Sequence, residues 1–309
     1  MRLSRMVKIS SILAIAMVSS ACVSAPSHGN TGAMADDFGD DSLDVLFATE
    51  FPVASKDEAM AKASLAYRDR EFDKSQFYLV RALKFDVTDV NVLAQIGNLH
   101  VLQGNGLLAG RAFNFALQHD PQHAESLQGL GLLYFRAGND DKARELLELS
   151  VAGSAGMWRA YNALGVIADR DKNYELALEY YNTALEIQPR SDSILVNRGY
   201  SRYLNKNYHD AALDFYEVAK RSDNPKAWRN LAMVYARQGW YDAALESYME
   251  VLDAPEAHNQ IGAIAMDNGD TDAALFFLNE AVRLSPTYFA NAEKNLAELR
   301  RSDSIRKLN

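Results

Sequence analysis

Residues 225–239 read Pro225-Lys226-Ala227-Trp228-Arg229-Asn230-Leu231-Ala232-Met233-Val234-Tyr235-Ala236-Arg237-Gln238-Gly239, and Trp240-Tyr241 then leads into a second run, Ala244-x-x-x-Tyr248-x-x-Val251. Large apolar residues fall at 228, 231 and 235, and again at 248 and 251, the three- and four-residue spacing of an amphipathic helix. Ala232 and Ala244 put a small residue on each helix, so this stretch predicts two helices packed closely against each other.

The same frame recurs along the chain. Gly97, Gly131, Gly165 and Gly199 are separated by 34 residues each, and twelve residues beyond them stand Ala109, Ala143, Ala177 and Ala211. Nineteen residues beyond the glycines come Ala116, Ser150, Ala184 and Val218. The frame extends forward through Ala232/Ala244/Val251 and Gly262/Ala274/Ala281, and backward through Ala63/Ser75/Ala82. Prolines close repeats at Pro121, Pro189 and Pro286, and Gly104-Asn105, Gly138-Asn139, Lys172-Asn173, Lys206-Asn207 and Gly269-Asp270 punctuate the hairpins. A large apolar residue precedes the glycine in Ile96, Leu130 and Leu164, whereas Arg198 stands before Gly199.

Self-similarity at this period, with small residues at fixed places, resembles the tetratricopeptide repeat (TPR) family. The resemblance covers residues 56–287 and implies an all-α, right-handed superhelix of about seven helix pairs with a concave inner surface. Residues 288–309 form the predicted capping helix and tail, with Phe289, Ala292, Leu296 and Leu299 at helical spacing. The recurring glycine has a physical reason. Glycine inside a helix costs about 1 kcal/mol relative to alanine, so its repetition implies close helix approach. One pair leaves a face bare, and the next covers it.

Composition bounds the function. The 309 residues carry 32 Lys+Arg against 41 Asp+Glu, a net charge of −9, and 48% are hydrophobic, which excludes collagenous, wholly disordered and polytopic membrane chains. The acidic balance argues against nucleic acid as partner. Length suggests about two domains, a prior that the repeats override. No phosphate loop, HExxH or GxSxG motif is present. His119 and His123 flank the turn Asp120-Pro121 and lack further ligands, and Asp140-Asp141 reads as charge at a helix start. The chain is therefore expected to be non-enzymatic, without a metal or a diffusible cofactor.

The N-terminus carries Arg2, Arg5 and Lys8, then the apolar run 12–18, then Ser19-Ser20-Ala21 before the single cysteine, Cys22. Such an order reads as a secretory signal over 1–21, its apolar run too short for a stable bilayer span. Cysteine directly after small residues resembles the lipobox of bacterial lipoproteins, although Ser19 stands where that family usually has Leu. The resemblance implies a covalent lipid on Cys22, with diacylglycerol on the thiol and an acyl chain such as palmitate on the new N-terminus. Val23, where retained lipoproteins have Asp, implies sorting to the outer membrane, facing the periplasm. Ordinary cleavage after Ala21 or Ala25 is the alternative. Loss of three basic residues leaves 29 Lys+Arg against 41 Asp+Glu, a charge of −12. Residues 22–55 read as a lipidated cysteine and flexible tether rich in Ser, Gly, Ala and Asp, with Leu43-Asp44-Val45-Leu46-Phe47 as its one apolar cluster.

In the TPR family the first helix of each pair lines the groove. Carried onto this chain, the inward positions include Asn98, Gln128, Phe135, Arg136, Asn162, Val166, Arg170, Tyr200, Tyr203, Arg229, Met233, Arg237 and Asn259. Aromatics, amides and arginines suit an extended protein segment, and the row Arg136, Arg170, Arg237 favours one carrying carboxylates. Asn197 and Asn230 are similar to the carboxylate-clamp TPRs, whose lysines are missing here. Among exported repeat proteins the chain resembles the TadD-type lipoproteins of tight-adherence (Flp, type IVb) pilus assembly, through 229–239 and through Ser285-Pro286 to Asn295-Leu296. That resemblance implies secretin or other pilus-assembly components as partners. Adaptors for cell-wall enzymes or outer-membrane protein assembly share the same features.

Overall fold

The computed structural model describes residues 53–287 and 289–306. The predicted signal 1–21, Cys22, the tether through 52 with its 43–47 cluster, and Tyr288 lie outside the described residues. Fifteen α-helices and no strand are present among the described residues. They are α1 (Lys56–Arg68), α2 (Phe72–Leu83), α3 (Val90–Leu102), α4 (Gly106–His119), α5 (Ala124–Arg136), α6 (Asp140–Gly153), α7 (Trp158–Arg170), α8 (Tyr174–Ile187), α9 (Asp192–Leu204), α10 (Tyr208–Ser222), α11 (Pro225–Arg237), α12 (Tyr241–Met249), α13 (Ala254–Asn268), α14 (Thr271–Leu284) and α15 (Ala290–Arg306). They form seven hairpins in tandem, and α15 closes the last of them through Ala292, Leu296 and Leu299, all buried.

Each hairpin turn solves the same backbone problem. The residue ending the first helix sits left-handed, at φ +77° in Gly104, +76° in Gly138 and +78° in Gly269, where only glycine escapes steric cost. Lys172 and Lys206 occupy that conformation at φ +61° and +62° without this advantage. The next N–H then reaches back five residues, as Asn139 N–H does to the Tyr134 carbonyl at 3.0 Å. The asparagine that follows caps the second helix: Asn139, Asn173 and Asn207 accept from the N–H groups of Lys142, Leu176 and Asp210.

Packing explains the recurring small residues. Ala109, Ala143, Ala177, Ala211, Ala244 and Ala274 are fully buried. Ser75 fills the same place in the first pair and Ser150 the place held elsewhere by Ala116 and Ala184, and they satisfy their hydroxyls on the Ala63 and Ala124 carbonyls at 2.9 and 2.8 Å. The glycines nest against a ring or a leucine from the second helix. A Cβ on Gly165 would lie 2.6 Å from Tyr181, and one on Gly97 would lie 2.5 Å from Phe113. Phe113 is also gripped from the next pair, where a Cβ on Gly129 would lie 2.3 Å from it. Buried clusters of such residues follow one another from Ala59 to Leu299.

Helix contacts define two ranks. Consecutive helices touch throughout, and from α3 onward each first helix also touches the first helix of the next pair, up to α13 on α15. No two second helices bring Cα atoms within 8 Å of each other among the described residues. The first helices therefore form the inner rank and the second helices fan outward. The α1–α3 step alone lacks the inner contact, and a hollow of about 390 Å³ opens there between Tyr67, Leu79 and Asn98.

Candidate partner-binding groove

The inner rank presents the sequence-predicted residues in three different states. Several are committed to neighbouring repeats. Gln128 accepts from the Ala160 backbone N–H at 3.2 Å, and Asn162 accepts from Asn197 at 3.0 Å. Asn259 is buried and accepts from Asn295 of the capping helix at 3.1 Å. These amides tie one pair to the next. Phe135, Val166 and Met233 are half-buried. Asn98, Arg136, Tyr200 and Arg229 are exposed, and Asn98 edges the hollow beside α1.

The arginine row is less available than its spacing suggested. Arg170 lies 4.8 Å from the centre of the Phe135 ring and pairs with Asp140 at 2.6 Å. Arg237 donates through Nε to the Tyr203 hydroxyl at 3.1 Å, through Nη1 to Asn268 at 3.3 Å, and through Nη2 to Asp267 at 3.0 Å. Arg136 and Arg229 make no ion pair among the described residues. Tyr200 stacks on Tyr203 with ring centres 6.0 Å apart. Burial pushes the nearby Tyr248 phenol up to about 12; Tyr203 acts in the same direction, and Arg229 and Arg237 oppose it. Both guanidiniums thus sense one hydroxyl beneath the groove.

Two polar constellations lie off the groove. Asp214 is buried and holds two guanidiniums: Arg198 donates to both its oxygens at 3.0 and 2.7 Å, and Arg202 donates at 2.7 Å. The sign in the sequence was Arg198 standing where other repeats place Ile96, Leu130 or Leu164. Asp169 accepts from Ser201 at 2.6 Å and from Tyr181 at 2.8 Å. Burial raises its carboxyl above the ordinary value, opposed by these two hydroxyls. Nothing in the repeat pattern announced it.

The histidines remain separate. His119 packs edge-on against Phe115, while His123 contacts the Ser126 hydroxyl and the Asn91 side chain at 2.8 and 3.2 Å. Ser126 is fully buried, so a substrate cannot reach that hydroxyl. No group of three or more His, Cys, Asp or Glu suited to a metal occurs among the described residues. Asp140 lies in the first turn of α6, where it accepts from Arg170.

Sequence profiles described as tetratricopeptide repeat match residues 100–164, 158–191, 225–258 and 255–288. The BBSome complex member BBS4 of Bos taurus is 25% identical over 224 residues, covering 70% of this chain and 42% of its own. The chain spans less than half the length of such curated relatives. Among solved structures, the Cut9 and Hcn1 hetero-tetramer of the APC/C superposes with a TM-score of 0.54 at 17% identity, over 84% of this chain and 51% of that one. The structure titled as a functional characterisation of Pseudomonas aeruginosa pilF superposes at 0.51 with 19% identity, over 68% and 97%. These likenesses concern the fold. By its profile matches and its seven nested hairpins, the described body of the chain is a tandem array of tetratricopeptide repeats.

Proposed function

We propose that this chain is a non-catalytic protein-binding scaffold, lipid-anchored through Cys22 at the outer membrane and facing the periplasm. There it assists assembly or localisation of the secretin of a tight-adherence (Flp) pilus. Tetratricopeptide repeats are protein-interaction modules, and the observation that carries the binding role is the inner rank of first helices with exposed Tyr200, Arg136 and Arg229. Exposed aromatics and arginines along one face are what an extended partner requires: planar anchors and bidentate donors. The anchor rests on the sole cysteine following Ser19-Ser20-Ala21. Several buried acyl chains hold a protein at a membrane durably, at about 0.8 kcal/mol per methylene. The pilus assignment rests on the resemblance of 229–239 and of 285–296.

Membrane fractionation and crosslinked pull-down test the two halves separately. Cys22→Ser is expected to leave the membrane fraction, and retention there removes the lipid from the reading. Secretin and pilus components should copurify with the intact chain. Recovery of peptidoglycan hydrolases or barrel-assembly proteins instead would make it an adaptor of cell-wall or outer-membrane construction.

A further inference from the structure

The face of α11 that looks into the groove carries Arg229, Met233 and Arg237 at four-residue steps, a cation, a thioether and a second cation. Eight residues of helix at 1.5 Å each separate the two arginines by about 12 Å along the axis. An extended segment rises about 3.3 Å per residue and returns a side chain to the same side every second residue. Four residues of such a segment cover about 13 Å, so positions i and i+4 of a bound strand match the two guanidiniums, and i+2 falls on Met233. Tyr200, 45% exposed and stacked on Tyr203, follows Gly199 on α9 as Met233 follows Ala232 on α11, the same position of the neighbouring first helix.

The chain already shows which chemistry these cations take. Arg237 is occupied by the Asp267 carboxylate, whose side chain remains 65% exposed. An ion pair so open to water is weak and exchangeable. Arg229 makes no ion pair among the described residues, although it acts on the same Tyr248 hydroxyl as Arg237.

We infer that the α9–α11 section of the groove recognises an extended protein segment with acidic side chains at i and i+4 and a large apolar side chain at i+2, and that Asp267 occupies one of its two acid subsites until such a segment displaces it. The inference rests on the inner rank being the partner-binding face and names the partner's chemistry there. The motif is symmetric, so it is independent of chain direction.

The test uses full-length, detergent-extracted protein and three labelled peptides: acetyl-Ser-Glu-Ser-Phe-Ser-Glu-Ser-amide, the same peptide with Gln for both Glu, and one with its two Glu adjacent. Fluorescence anisotropy should show the first binding at least tenfold more tightly than either control. Arg229→Gln should erase that preference, and Asp267→Asn should strengthen the first peptide several-fold. Equal binding of the Glu and Gln peptides, a preference that survives Arg229→Gln, or no binding of any peptide overturns the inference. If Tyr200→Ser then weakens the Glu and Gln peptides alike, the groove is in use and only the acid rule has failed. Loss of partner capture in the pull-down described above is what would remove the groove reading itself.

Discussion

Gly165→Ala is a one-carbon change whose outcome the structure decides. In an open helix it should stabilise by about 1 kcal/mol, the propensity difference between the two residues. At 165 the new Cβ would lie 2.6, 2.8 and 2.9 Å from three carbons of the Tyr181 ring, a separation real Cβ atoms do not tolerate. That ring has no exposed surface, and its hydroxyl is held by Asp169 at 2.8 Å, so it cannot swing aside. Overpacking of this kind costs about 1–3 kcal/mol, and shifting the ring strains a hydrogen bond to a charged group worth about 1.5–3 kcal/mol. Set against the propensity gain, the net loss is about 2 kcal/mol.

Gly110 in α4 supplies the internal control. A Cβ there meets only Leu133 at 3.7 Å, ordinary contact, so Gly110→Ala should gain about 1 kcal/mol. Repeat arrays do not always unfold in one step. The measurement is therefore urea denaturation together with hydrogen exchange of the α7–α8 amides, which should lose protection selectively in Gly165→Ala. Replacing Tyr181 by Leu in the same chain should recover part of the loss. If both alanine variants shift stability in the same direction, the nesting argument is wrong.

Asp214→Ala should cost about 3–5 kcal/mol by denaturation, because Arg198 and Arg202, only 19% and 20% exposed, lose the carboxylate that balances them. The joint change of Arg198→Leu, Arg202→Tyr and Asp214→Leu, imitating Leu130, Tyr134 and Leu146 two repeats earlier, removes all three charges and should restore most of it. Asp169→Asn tests a pH dependence. With its folded carboxyl raised, Asp169 contributes stability that is fully present below the unfolded value near ~3.9 and is lost as pH rises through the raised folded value. The Asn variant should therefore gain on wild type at neutral pH and lose that advantage in acid; a pH-independent difference would refute the assignment. Lys206→Gly removes a side chain from φ +62°. Relief of about 1–2 kcal/mol outweighs added chain freedom of about 0.5–1 kcal/mol, so thermal denaturation should show a small increase in melting temperature.

The fold was legible because its causes are local and periodic. Gly97, Gly131, Gly165, Gly199 and Gly262 mark a steric requirement that each hairpin repeats, and Gly104 or Asn139 mark a turn whose dihedral angles leave few residues to choose from. What stayed hidden depends on who meets whom across 16 to 36 residues. Arg170 and Arg237 repeat as a basic row, yet Asp140 and Asp267 meet them through the stacking of pairs, which spacing alone does not reveal. Asn259 has the sequence position of a groove amide, but the capping helix brings Asn295 onto it. Gly129 escaped notice because it serves the ring of the preceding pair, Phe113, and so falls outside the glycine series. Sequence showed Arg198 as a misfit, and only its buried partner Asp214 explains it.

That second helices keep their Cα atoms more than 8 Å apart among the described residues has a mechanical consequence. Backbone approach between successive pairs is therefore closest on the inner rank and the diagonal packing, and the outer side is the looser one. The amide and arginine bridges of the inner side cross those joints, so a guest held along α11 that also touched Tyr200 on α9 would splint the joint between them.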